Sequence, residues 1–215
     1  VLKADLHIHT EYSMDSRSAL EDIIKRCLEI GINCITIADH GTVEGALKMQ
    51  GLAPFPVIVA EEILTQRGEI MGMFIKEKIP GGLSMEQTIA QIRAQDGLVC
   101  VPHPFDTFRG SALGAEAVEA IADQIDVVEV FNARAIRSRD SARAQAFARK
   151  HGICGSAGSD AHTIREIGHA YVEMPEFKGR DDFLQALEQG KIHGHMTNPL
   201  IHFRGLARRI KSLFR

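Results

Sequence analysis

A chain of 215 residues, 45% apolar and 25% charged, can bury the core of one domain and has the proportions of a globular protein, not of a disordered or fibrous one. It has no apolar run of about 18 residues or more to span a membrane and no secretory leader pattern at its start, so the expected setting is cytoplasmic. The formal net charge of -3 is unevenly spread: residues 201–215 hold five basic side chains and no acid, which leaves 20 basic against 28 acidic groups in residues 1–200. An acidic body suits cation binding and argues against a stable nucleic-acid complex.

The chain opens with an extended segment in which Leu2, Ala4, Leu6 and Ile8 occupy one side and Asp5, His7 and His9 the other. Ser18 and Glu21 predict a capping box for a helix whose inner face is Leu20, Ile23, Ile24, Cys27 and Leu28, with Gly31 ending it. Strands are expected at 34–38, 57–60 and, after a turn at Gly68, 70–75. Ser84 caps a helix carrying Met85, Ile89 and Ile92, and residues 98–101 are again extended. A short helix at 115–122 leads to a strand at 127–131, a longer helix at 140–150 stops at Gly152, and a strand at 153–157 follows. Strand 171–173, a helix at 181–189 and a His-rich stretch at 191–197 complete residues 1–200. Alternating strands and helices predict a parallel α/β domain. Cys27, Cys34, Cys100 and Cys154 are scattered in apolar surroundings, as expected of reduced core thiols. Residues 201–215 form a second unit, a basic amphipathic helix expected to pack on the barrel or a second subunit and not to bind a membrane.

Polar residues with metal-ligand chemistry follow the strands. The first ends in His7 and His9 with Asp15 in the next loop, the second in Asp39 and His40, and the third in Glu61 and Glu62. His103 lies between two prolines after residue 101, and Asp160 and His162 follow residue 157. Carboxyl ends of parallel strands share one face of a barrel or open sheet, so these groups are expected in one cleft. Any one of them has an ordinary structural use as a cap or turn residue; their recurrence at five strand ends points to a metal site.

The segments DLHIHTEYSMDS (5–16), TIADHGT (36–42), AEEI (60–63), VPHPF (101–105) and GSDAH (158–162) together resemble the PHP family, named for its polymerase-associated and histidinol-phosphatase members. The resemblance implies a distorted (β/α)7 TIM-like barrel that binds two or three divalent cations (Zn, Mn or Fe) and hydrolyses phosphate esters. It implies that His7, His9, Glu62 and Asp160 hold a first ion, that Glu62 and His103 hold a second, and that Asp15, His40 and His162 hold a third. Many members carry a histidine where Met71 stands here, and a thioether is a poor ligand for hard ions, so the second position departs from the pattern.

Within that scheme Asp160 acts through the ion that activates water, and His162 is the candidate acid for the leaving oxygen if the third ion is absent. Asp5 is expected to orient an imidazole. Asn132, Arg134 and Arg137, with Arg17 and Arg109 from other loops, are the expected phosphate contacts. The expected substrate is a small phosphorylated metabolite or nucleotide. A short oligonucleotide is the alternative, and a catalytically silent metal-binding module a third reading; oligomeric state is open.

Overall fold

The computed structural model describes residues 1–197, so the basic helix expected at 201–215 lies outside the described residues. In chain order the elements are β1 (Leu2–Ile8), α1 (Leu20–Ile30), β2 (Cys34–His40), α2 (Glu44–Leu52), β3 (Val57–Leu64), β4 (Glu69–Met73), α3 (Met85–Ala94), β5 (Leu98–Val101), α4 (Gly114–Ala120), β6 (Val127–Asn132), α5 (Ser138–His151), β7 (Cys154–Gly158), β8 (Ala170–Met174), α6 (Arg180–Glu188) and β9 (Lys191–Gly194).

The nine strands among the described residues belong to one sheet, ordered β7-β6-β5-β4-β3-β2-β1-β8-β9. The sheet curls until the chain after β7 reaches the end of β1. There Asp160 N donates to His7 O at 2.8 Å and His9 N to Ala161 O at 3.0 Å. A Cβ on Gly158 would sit 2.3 Å from the His7 Cβ, so this close approach requires glycine. Strands β1 to β7 therefore make a nearly closed barrel, the TIM-like α/β architecture anticipated from the sequence. The β8–β9 hairpin pairs with the first half of β1, Leu2 opposite Met174.

Two apolar layers result. Leu2, Ala4, Leu6, Cys34, Ala38, Ile58, Ala60, Met71, Met73, Leu98 and Cys100 fill the interior, while Ile35, Ile37, Val59, Ile63, Ile70, Val99 and Val101 face the surrounding helices. Phe74, Phe177 and Phe183 pack edge to face beside the interior cluster. The barrel is thus a packed core and leaves only its mouth for chemistry.

Four features differ from the sequence expectation. β4 runs antiparallel to both neighbours, because the link from Leu64 to Glu69 is far too short for a helical crossover. Helix α2 was not anticipated: its buried positions are Gly45, Ala46 and Met49, and a glycine and an alanine beside one methionine leave little apolar periodicity. α1 starts at Leu20 with Ala19 as its cap and no side-chain capping bond, whereas Ser18 is spent on the preceding loop, its carbonyl accepting from Glu11 N. Leu28, placed on the inner face by periodicity, is 60% exposed. The capping box of α3, Ser84 with Gln87, forms as expected, and Gly31 ends α1 in a left-handed conformation.

Candidate metal centre

Strand parity aims most of the candidate side chains. On β2, Cys34 and Ala38 face inward and His40 follows in the same phase; on β3, Ile58 and Ala60 are followed by Glu62. β1 needs an extra device. Its pairing with β2 slips by one residue between Asp5 and Ile8, an irregularity that keeps Leu6 in the interior and brings His7 and His9 to the mouth, with Ile8 packed outside. Asp5 stays on the outer side. It accepts from Ser159 N and Gly168 N at 2.9 Å, holding the β1–β7 junction; its expected role of orienting an imidazole is therefore incorrect.

That role falls to Glu129, which the sequence reading missed. Its Oε1 lies 3.0 Å from His7 Nδ1, and its Oε2 accepts from His103 N at 2.8 Å and from Asn132 Nδ2 at 2.9 Å. A single glutamate inside the apolar run 127–131 was the available signal. His103 and Asp160 reach the mouth through left-handed backbone, φ 27° and 53°, a strain of about 1–3 kcal/mol each that non-glycine residues carry at functional positions.

All eight candidate ligands converge, and a ninth group, Glu69, joins them. His9, Asp15, His40 and His162 form one constellation, His7, His9 and Asp160 a second, His7, Glu62 and His103 a third, and His40, Glu62 and Glu69 a fourth; in each, the donor atoms lie within 4.8 Å of one another. His9 Nε2 is 3.4 Å from Glu62 Oε2 and 3.3 Å from Asp160 Oδ1. His162 Nε2 and His40 Nε2 approach Asp15 Oδ2 at 3.0 and 3.3 Å. His103 Nε2 meets Glu62 Oε1 at 2.8 Å. Glu61, the neighbour of Glu62, points away and accepts from Ile79 N at 2.8 Å.

These groups charge one another strongly. Burial alone opposes charge on His7, but Glu129, Asp160 and Glu62 outweigh it and hold the imidazole well above its ordinary value. Burial opposes charge on Glu62 and Asp160 as well, and the surrounding histidines, with Arg109 beside Asp160, keep both carboxylates well below theirs. Burial, reinforced by His162, pushes His9 down to about 3. Burial also works against charge on His40, yet Asp15, Glu62 and Glu69 raise it to about 9. Burial and the neighbouring Glu62 push Glu69 up to about 7.

The donor set fits a divalent cation. His7 Nε2 and His9 Nε2 face each other at 3.1 Å, and buried Asp160 Oδ1 and Glu69 Oε2 accept no hydrogen bond. Lone pairs so crowded are poorly served by protons and well served by a metal ion. Mixed imidazole and carboxylate donors suit Zn, Mn or Fe(II).

The expected phosphate contacts divide. Asn132 is buried and bonds Glu129 and Asp160 Oδ2, so it buttresses the centre. The Arg134 guanidinium pairs with His162 Nδ1, and that of Arg109 with Asp160 Oδ2. Arg137 lies 4.4 Å over the Phe108 ring at the rim, and Arg17 is exposed. The four cysteines are free thiols, three of them buried. Among the described residues no helix is long and apolar enough to cross a membrane.

Comparison with known proteins gives a consistent picture. Residues 5–67 match the PHP domain family and residues 138–192 the PHP-associated family. An uncharacterized protein of Methanocaldococcus jannaschii is 39% identical over 145 residues, 61% of this chain and 82% of that protein. A two-domain protein of Bacteroides vulgatus containing a predicted PHP-like metal-dependent phosphoesterase superposes with a TM-score of 0.71 at 15% identity; the match covers 90% of this chain but 65% of that one, under two thirds of its length. An amidohydrolase of Chromobacterium violaceum, solved with bound sulfate and no metal, superposes with a TM-score of 0.66 at 16% identity over 89% of this chain and 97% of that one.

Proposed function

The chain belongs to the PHP family, and from that premise we propose that it hydrolyses phosphate esters of small phosphorylated metabolites or nucleotides with divalent cations held at the barrel mouth. The observation that carries this reading is the convergence of sequence-distant imidazoles and carboxylates at one end of a packed barrel, within ligand distance of one another. His7, His9, Glu62 and Asp160 would hold one ion, and Asp15, His40 and His162 another. Bound there, divalent cations lower the pKa of water and offset the charge that builds on a phosphoryl group.

The protein's own groups do the rest. Glu129 fixes the Nδ1 side of His7, so that Nε2 faces the mouth. Asn132 holds Asp160 and Glu129 in one geometry. Arg134, 16% exposed and reaching inward from the loop after β6, and Arg109 from the loop after β5, supply planar donors for phosphoryl oxygens. With no ion at the Asp15, His40 and His162 position, His162, 12% exposed beside Asp15, would instead hand a proton to the departing alkoxide.

The test is turnover of an aryl phosphate by metal-free protein before and after Mn or Zn is restored. A panel of sugar phosphates, nucleotides, short oligonucleotides and N-acyl amides follows. Metal-restored hydrolysis of phosphomonoesters supports the proposal. Cleavage confined to oligonucleotides redirects it to a nuclease, cleavage confined to amides redirects it to an amidohydrolase, and no turnover of any substrate by metal-loaded protein removes it.

A further inference from the structure

Strand direction puts an acid at the mouth where the strand-end rule does not look. Because β4 is antiparallel to its neighbours, its first residue, not its last, lies beside the carboxyl end of β3: Leu64 pairs with Glu69 and Glu62 with Met71. Glu69 is 6% exposed and its Oε2 accepts no hydrogen bond, an expensive condition for a buried carboxylate. Its oxygens point between two other candidate ligands, Oε2 lying 3.8 Å from His103 Nε2 and Oε1 3.7 Å from His40 Nδ1. Donor atoms of Glu69, Glu62 and His40 fall within 4.8 Å of one another, and Glu62 Oε1 is 2.8 Å from His103 Nε2.

We infer that Glu69 is a metal ligand, completing the second cation position of Glu62 and His103 in place of the histidine that Met71 replaces, and that this position prefers a hard, oxygen-seeking ion such as Mn(II) or Mg(II). The inference rests on the metal-dependent reading above and adds to it a ligand and a selectivity. Two carboxylates and one imidazole make an oxygen-rich donor set, and Met71, opposite Glu62 on the same strand pair, offers only a thioether that such ions do not take. The first position, with two imidazoles and two carboxylates from His7, His9, Glu62 and Asp160, is richer in nitrogen and is the better place for Zn(II). The mouth is thereby divided into positions of different softness.

The experiment counts ions, not turnovers. Metal-free wild type, Glu69→Gln, Met71→His and the double variant are titrated with Mn(II), bound ion being read from the loss of the free Mn(II) electron paramagnetic resonance signal; Zn(II) is then titrated by calorimetry. Glu69→Gln is expected to lose one Mn(II) equivalent, or to weaken it about 100-fold, at unchanged metal-free circular dichroism. Met71→His is expected to shift that equivalent toward Zn(II), both in wild type and in the Gln background, which also serves if Glu69→Gln alone folds poorly. Equal Mn(II) counts and affinities in wild type and a folded Glu69→Gln, or unchanged Zn(II) binding in Met71→His, would overturn the assignment. Wild type that binds the ions but hydrolyses nothing sinks the proposed function and leaves this inference standing, whereas wild type that binds no ion sinks both.

Discussion

Replacing Glu129 by Gln probes how the centre is built without touching any candidate ligand. The native carboxylate serves three donors: His7 Nδ1–H on Oε1, and His103 N–H and Asn132 Nδ2 on Oε2. An amide keeps one oxygen. With that oxygen on His103 N–H and Asn132, its NH2 group faces the Nδ1–H of His7, donor against donor, and the neutral His7 that a metal ion requires must carry its one proton on Nε2 instead. That nitrogen faces His9, Glu62 and Asp160, so the proton would sit where the cation belongs. Losing an outer carboxylate of this kind weakens metal binding about 10–100-fold, roughly 1.4–2.7 kcal/mol. Calorimetric titration of metal-free wild type and Glu129→Gln with Zn(II) measures it, with thermal melts of the metal-free proteins to show that the fold is kept. Equal affinities in two folded proteins would refute the claim that Glu129 sets the His7 tautomer.

Other consequences are equally open to measurement. His9→Ala should abolish the metal-restored aryl phosphate hydrolysis proposed above while leaving the circular dichroism of the protein intact; wild-type rates would remove His9 from the centre. Gly158→Ala should fail to close the barrel, since its Cβ would fall 2.8 Å from the His7 backbone nitrogen as well as on the His7 Cβ, and a normal melting temperature would contradict that packing. Glu61 is buried on the outer side of β3 with Oε1 unpartnered, and burial pushes it from an ordinary 4.5 up to about 7. A carboxylate raised in the folded state contributes stability that is complete below about pH 4.5 and is lost as pH rises through about 7. Glu61→Gln should therefore flatten that fall and leave the metal-free variant about 1–3 kcal/mol more stable than wild type at pH 8 by urea denaturation. A variant that is less stable at every pH would show that the charge is not penalised.

The strand and helix alternation was legible because each inner or outer strand face carries a continuous apolar set, and the β/α order admits few other closures. Most of the centre was legible for the same reason: His40 and Glu62 simply continue the inward phase of β2 and β3. What escaped depended on events that a strictly alternating pattern does not encode. The slip in β1 placed Leu6 and His7 on the same side and left Asp5 outside, so a residue assigned to the mouth by parity instead ties β1 to the chain after β7. Glu69 is not legible from a rule that looks at the carboxyl ends of strands, because reversal of β4 puts its first residue at the mouth. Glu129 sat within an apolar run and was absorbed into it. Among the arginines loop conformation decides: Arg109 and Arg134 reach Asp160 and His162, Arg137 stacks on Phe108, and Arg17 is exposed.

The central claim is that these side chains meet in order to hold cations, and anomalous diffraction from crystals equilibrated with Zn(II) tests it most directly. The account predicts difference peaks within about 2.5 Å of donor atoms of His7, His9, Glu62 and Asp160, and of Asp15, His40 and His162. A map of well-ordered protein with no peak among those side chains would contradict it.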